Sequence, residues 1–331
     1  MPECAERSRL ILGLLLGLGD AQRLTSGQLV EALATCKQAA ELARDQGSPA
    51  DLARAALGVQ ETEIWIGGPA REAVEWLEAA LQKLGQDDGA DRARVLGGLG
   101  KALFTVGDLE RAAALSAEAV ALARRSGDSR ALYWALSRQN VSGVGHPSPK
   151  SRFPERRKAL NEELALVAEL GDPNVVFGAG FGPFAAYLEM GDYSAFSASL
   201  TLFREYASKH RVSTFEWGLA SADALAAILL GEFSEAERMA DRALEIGGDV
   251  QGDLASGVYA VQMFTIRREQ GRLPEVAPLF RRFLDENPRD AAWRPGLALI
   301  AAISALPRLR VRRSQKWRRP ASRFPPTPSR A

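Results

Sequence analysis

The feature that most constrains this chain is a regularly spaced glycine. Gly27, Gly68, Gly107, Gly191, Gly231 and Gly271 are each followed two residues later by an apolar residue and five residues later by Ala, Val or Phe. Their successive separations are 41, 39, 84, 40 and 40 residues, so the period is about forty and one marker is skipped. Twelve residues after each glycine stands Ala39, Ala80, Ala119, Phe203, Ala243 or Phe283. Positions five and twelve are two helical turns apart and share one face. Alanine at such positions lets two helix backbones approach closely. The glycine suits a tight connection between antiparallel helices, because it accepts backbone angles that cost other residues free energy. Repeats of this length are the signature of stacked supersecondary units.

Between these markers lies a second set of breakers: Gly47-Ser48-Pro49, Asp87-Asp88-Gly89, Gly127-Asp128, Gly171-Asp172-Pro173, Gly247-Gly248-Asp249 and Asn287-Pro288. Asp, Ser and Asn ahead of a helical run are N-caps, and proline ends the preceding helix. Each period therefore holds two helices. In 91–106 the apolar residues Val95, Leu96, Leu99, Ala102, Leu103 and Val106 recur at the 3.6-residue period, and 109–125 repeats the pattern with Ala112, Leu115, Ala119 and Leu122. No stretch alternates with period two, so the expected fold is all-α, about seven antiparallel helix pairs with an eighth begun near 291–306.

Composition agrees with a chain that can bury a continuous core: 331 residues, 46% hydrophobic and 25% charged. Only Cys4 and Cys36 are present, which supports neither a disulfide framework nor a cysteine metal site and points to a reducing cytoplasm. The apolar run Leu10 to Leu18 follows two arginines as in a signal peptide, but Glu3 and Glu6 spoil the basic flank and nine residues cannot span a bilayer. It reads as a first repeat helix, and no membrane association is expected. The net charge of +1 conceals an asymmetry: residues 307–331 carry nine Lys or Arg and no acid, leaving about −8 on the rest. The organisation expected is a repeat domain over 1–306 and a basic, Arg/Pro/Ser-rich disordered tail over 307–331.

A glycine with alanine at plus five and plus twelve, as in Gly107/Ala112/Ala119 and Gly231/Ala236/Ala243, resembles the turn and second helix of tetratricopeptide repeats. The period of forty, and phrases such as Leu15-Leu16-Gly17-Leu18-Gly19-Asp20 and Arg267-Arg268-Glu269-Gln270-Gly271, look like the longer MalT-like variant found in large bacterial ATP-binding regulators, often LuxR-type. The resemblance covers about residues 9–306. It implies a right-handed superhelix, an α-solenoid, whose first helices line a concave face. Regulators of that kind carry an ATPase module before the repeats and commonly a DNA-reading module after them. Neither has a counterpart here, so the chain reads as one arm of a larger architecture.

Motifs for chemistry are missing from the sequence. Gly100-Lys101 approaches a phosphate-binding loop but has Val95 for its first glycine and Ala102 for the hydroxyl, so it reads as a packed helix. Gly178, Gly180 and Gly182 complete no dinucleotide fingerprint. His146 and His210 have no companion at metal-ligand spacing, and no nucleophile elbow occurs. The chain is read as no enzyme, with no cofactor and no metal.

What remains is surface for recognition. The candidate partner-binding residues on the first helices are Trp65, Tyr133, Trp134, Arg138, Gln139, Tyr187, Trp217, Tyr259, Gln262 and Arg267, with Phe181 beside them. Aromatics and arginine anchor interfaces, although aromatics at helical spacing are core residues more often than groove residues. Arg138 and Gln139 lead because their polar heads need water or a partner. The skipped marker falls at Gly143 to Arg152, where two prolines forbid helix; with Arg156, Arg157 and Lys158 following, the segment is either a solvated connection or a contact for an acidic partner. The tail, with Trp317 among arginines, is either a disordered remnant or a nucleic-acid contact, the remnant being favoured. The functional expectation is a non-catalytic scaffold, the repeat arm of a bacterial signalling or transcriptional regulator, holding a protein or peptide. The alternative is a domain that encloses a small effector.

Overall fold

A computed structural model describes residues 2–24, 28–46, 48–66, 69–86, 89–139, 150–171, 175, 183–184, 186–210, 213–250, 253–286 and 294–305. Among them there is helix and no strand. The helices are α1 (Pro2–Leu24), α2 (Leu29–Gln46), α3 (Pro49–Ile66), α4 (Arg71–Leu84), α5 (Ala90–Val106), α6 (Leu109–Ser126), α7 (Ser129–Gln139), α8 (Phe153–Leu170), α9 (Tyr193–His210), α10 (Ser213–Leu230), α11 (Phe233–Val250), α12 (Asp253–Glu269), α13 (Ala277–Glu286) and α14 (Arg294–Ala305). Residues 186–189, ahead of α9, are helical as well.

The marker glycines act as the period implies. Gly107 sits at φ 92, its N–H and that of Asp108 turn back to the last carbonyls of α5, and the Asp108 to Leu103 bond of 3.0 Å closes the turn. This is the glycine-ended helix stop, which recaptures the carbonyls of Leu103 and Phe104. Gly191 and Gly231 repeat it, with Asp192 bonded to Tyr187 and Glu232 to Ala227, and Gly271 also has positive φ. The residue after the glycine then caps the next helix: the carboxylate of Asp108 accepts from Arg111 N–H, and that of Asp192 from Ala195 N–H. Asp128 does the same for Ala131 between pairs. Gly27 and Gly68 lie outside the described residues.

The chain divides into two compact units, Met1–Gln270 and Gly271–Ala331. In the first, each helix packs on the next from α1 to α8 and again from α9 to α12, and first helices also touch first helices, α1 on α3, α3 on α5, α5 on α7 and α10 on α12. That double adjacency is the mark of an all-α repeat solenoid. All the residues five positions after a marker glycine are buried, and so are Ala39, Ala80, Ala119, Phe203 and Ala243 at plus twelve. The irregular fourth pair has a short α7 and a long connection ending in a 3₁₀ turn, Lys150–Arg152, that leads into α8. In the second unit, a 3₁₀ turn over Leu273–Val276, with Pro274 in its first turn, precedes α13; α14 packs on both, burying Leu273, Val276, Phe280 and Ile300. Residues 306–331, the whole of the basic tail, lie outside the described residues.

Candidate functional site

The first helices of the first unit are joined by polar contacts that run from one repeat to the next. Arg23 of α1 pairs with Glu61 of α3 and with Asp20, and Arg54 of α3 returns to Asp20. Arg94 of α5 lies 3.8 Å from Asp128 ahead of α7. Gln262 of α12 donates to the backbone carbonyl of Ser221 on α10 at 2.8 Å. These residues are spaced by about one period, which is the signal by which the sequence carries them. Apart from Gln262, they were absent from the expected site because each is unremarkable alone.

The expected site residues separate into three groups. Tyr133, Tyr187 and Trp217 are fully buried. Tyr133 donates to the Val175 carbonyl at 2.6 Å, Tyr187 to Asn161 at 3.0 Å, and Trp217 is clamped so tightly that a Cβ on Gly247 would meet its ring at 2.5 Å. These three belong to the core and not to a partner surface, because aromatic area is worth more inside than in a wet groove. Gln262 and Arg267 are also buried: the Gln262 amide is committed to Ser221, and Arg267 forks onto Glu237, with 2.7 Å from Nη1, and onto Gln270 at 2.9 Å. Arg267 ties α12 to α11 and the Gln262 amide nitrogen ties α12 to α10, while Gln262 Oε1 is buried without a hydrogen-bond partner among the described residues. Trp65, Trp134 and Tyr259 keep part of their surface in solvent. The side chains of Arg138, Gln139 and Phe181 lie outside the described residues.

Trp134 stands edge-on to Tyr133, ring centres 5.0 Å apart. The Tyr259 hydroxyl donates to Asp241 at 3.0 Å, and its pKa is pushed up to about 12, first by burial and then by that hydrogen bond to a carboxylate. Trp65 has a third kind of environment. It lies at the end of α3, yet it packs against a small cluster formed by Trp217 and Ala220 of α10, Ala243 of α11 and Ala255 of α12, with Ile246 and Val258 beside it. Helix α12 itself touches α3. Helices from repeats far apart in sequence thus meet within the first unit, at Trp65.

The basic segment after the irregular pair is used internally. Arg156 pairs with Glu189 at 2.5 Å, and Arg157 pairs with Asp192, whose carboxyl is held below its usual range by the Ala195 amide and by Arg157. Both arginines thus have acidic partners within the chain, and Arg157 remains partly exposed. Residues 140–149, which include His146, lie outside the described residues. Among the described residues no group of three or more His, Cys, Asp or Glu is placed to hold a metal, and no helix is long and apolar enough to cross a membrane. Gly100, the nearest approach to a phosphate loop, is a buried α5 residue facing Ala112 and Ser116 of α6.

No family model matches the chain, and no curated protein matches it. Among solved structures the chain is similar to a signal transduction ATPase with numerous domains (STAND) protein with a tetratricopeptide repeat sensor from Pyrococcus horikoshii. Identity is 16% and the TM-score 0.48, over 91% of this chain and 50% of that one, so the chain spans half the length of that structure. The helix pairing, the glycine-ended turns and the buried residues at plus five and plus twelve make the first unit a tetratricopeptide-like helical repeat.

Proposed function

We propose that the chain is a non-catalytic interaction scaffold, the repeat arm of a bacterial signalling or transcriptional regulator, and that it holds a protein or peptide segment on the inner face of its first helices. The observation that carries this reading is the meeting of Trp65 with the α10 to α12 cluster. It brings first-helix surface from the second pair and from the sixth and seventh pairs within the span of one extended peptide. Partly exposed aromatics on such a surface bury large area at little side-chain entropy cost, which is why they dominate binding energies. Trp65, Trp134 and Tyr259 are the anchors, and the regularly joined polar residues around them fix the surface in place. The finer parentage, a MalT-like arm, is supported by the repeat length and by the phrases around Gly17 and Gly271.

The test is selection of peptides from a displayed library on the full chain, followed by titration of the selected peptide. Trp65→Ala, Trp134→Ala and Tyr259→Ala, each with its melting temperature checked, are expected to weaken binding at least tenfold. Undiminished binding in all three variants would remove the inner face from consideration.

A further inference from the structure

The first helices of the first three pairs can be compared at equivalent positions. Gly17, Gly58 and Gly98 share one register. A Cβ placed on Gly58 would lie 2.9 Å from Cys36 Sγ of α2, and one on Gly98 would lie 2.6 Å from Leu57 of α3 and 3.5 Å from Leu77 of α4. In both, the glycine is the point at which the preceding pair presses closest. A Cβ on Gly17 would meet nothing within 4 Å. The apolar residues on either side behave alike. Leu14 is 73% exposed where its counterparts Ala55 and Val95 are at 1% and 0%, and Leu18 is 49% exposed where Val59 and Leu99 are at 0% and 1%. Leu10 and Ile11, at 66% and 41%, prolong the strip by a turn. A single exposed leucine is ordinary, but a contiguous strip of four along one helix, with Leu14 and Leu18 at positions that are apolar and buried in both later pairs, is not.

We infer that this outer face of α1 is a docking surface for one further amphipathic helix of the repeat type. Its occupant is specified by continuity with the interface the chain already forms twice. Onto Gly58, α2 presents Cys36 flanked by Ala32 and Ala39; onto Gly98, α4 presents Leu77 flanked by Ala73 and Ala80. The knob is a Cys or Leu, with alanine four residues before and three after, so that the two backbones close over the glycine. A helix carrying Ala-x3-Leu-x2-Ala fits the strip around Gly17 by the same geometry, with Leu14 and Leu18 on either side of its knob.

The experiment titrates a synthetic peptide of residues 69–86, stapled between positions 78 and 82 on its exposed side, into the full chain by calorimetry. The expected result is saturable one-to-one binding, lost when the peptide carries Leu77→Asp. In the chain, Leu14→Glu and Gly17→Leu should each weaken binding at least tenfold while melting no lower than the parent. Gly17→Leu separates the mechanism from mere stickiness, because it adds apolar surface yet blocks close approach. The inference is overturned if the parent chain does not bind the peptide, or if Gly17→Leu binds as well or better. It is also overturned if sedimentation shows a concentration-dependent dimer abolished by Leu14→Glu, which would give the face to a second copy. Because Leu14 is remote from the inner face, Leu14→Glu leaves binding of the library-selected peptide unchanged, so failure here and failure of the proposed function are read separately.

Discussion

Replacing Gly100 with alanine tests how closely the helices of a pair approach. The new methyl would lie 2.5 Å from Ser116 Oγ, 3.0 Å from the Ala112 carbonyl and 3.3 Å from the Ser116 amide. Two of those three atoms are backbone of α6, so rotating a side chain cannot relieve the clash; the helix itself must retreat. Overpacking of this kind costs about 1–3 kcal/mol. Against it stands the gain from removing a glycine from a helix interior, about 1 kcal/mol. The net expectation is a loss of roughly 1 kcal/mol. Gly13→Ala is the matched control, since a Cβ there meets nothing within 4 Å and only the gain applies. The difference between the two variants isolates the steric part, about 2 kcal/mol, with propensity cancelled. Solenoids need not unfold in one step. The assay is therefore hydrogen exchange of the α5 and α6 amides, which reports opening of that pair, alongside the urea midpoint. Gly100→Ala should speed exchange in α5 and α6, and Gly13→Ala should not. If Gly100→Ala is as protected as Gly13→Ala, the close α5/α6 approach is wrong.

Other outcomes follow from single contacts. Asp192→Ala removes the cap of α9 and is expected to cost about 1 kcal/mol at neutral pH, measured by urea unfolding. Because the carboxyl of Asp192 is held low in the folded state, its contribution is present above its unfolded pKa and fades as pH falls through the depressed folded value; the penalty of Asp192→Ala should therefore vanish in acid, and a constant penalty down to pH 2 would contradict the cap. Gln60 is fully buried, with no protein group in hydrogen-bond reach of either amide atom. Gln60→Leu keeps the volume and removes the buried polar group, so stability should rise by about 1–3 kcal/mol, and a fall in the urea midpoint would refute this.

Much of the fold was legible because it is periodic. Gly107, Gly191, Gly231 and Gly271 take the positive φ that their spacing implied, and the residues at plus five are buried in all six repeats. Helix-period patterning needs only local sequence, and repetition multiplies the signal. The site was less legible. Tyr133 and Trp134 are neighbours on α7, yet the first is buried and the second partly exposed, a distinction fixed by helix rotation that composition does not reveal. Arg267 was counted among the groove candidates as an arginine on a first helix, and its head is taken by Glu237 on the preceding helix. The contact of Trp65 with the α10 to α12 cluster depends on curvature accumulated over four pairs, and no local pattern encodes a sum of small rotations. The strip on α1 was visible as an apolar run, but its exposure became meaningful only beside the buried equivalents on α3 and α5.

The proposed binding face requires the first helices to turn inward far enough for Trp65 to reach the α10 to α12 cluster. The direct measurement is methyl-detected NMR of the full chain with Ala and Val methyls labelled. It predicts cross-relaxation from the Trp65 indole to methyls of Ala220, Ala243, Ala255 or Val258, abolished in Trp65→Phe and present at the lowest workable concentration. Cross-relaxation from that indole confined to residues of α3 and its immediate neighbours would contradict the curved stack and the inner face built on it.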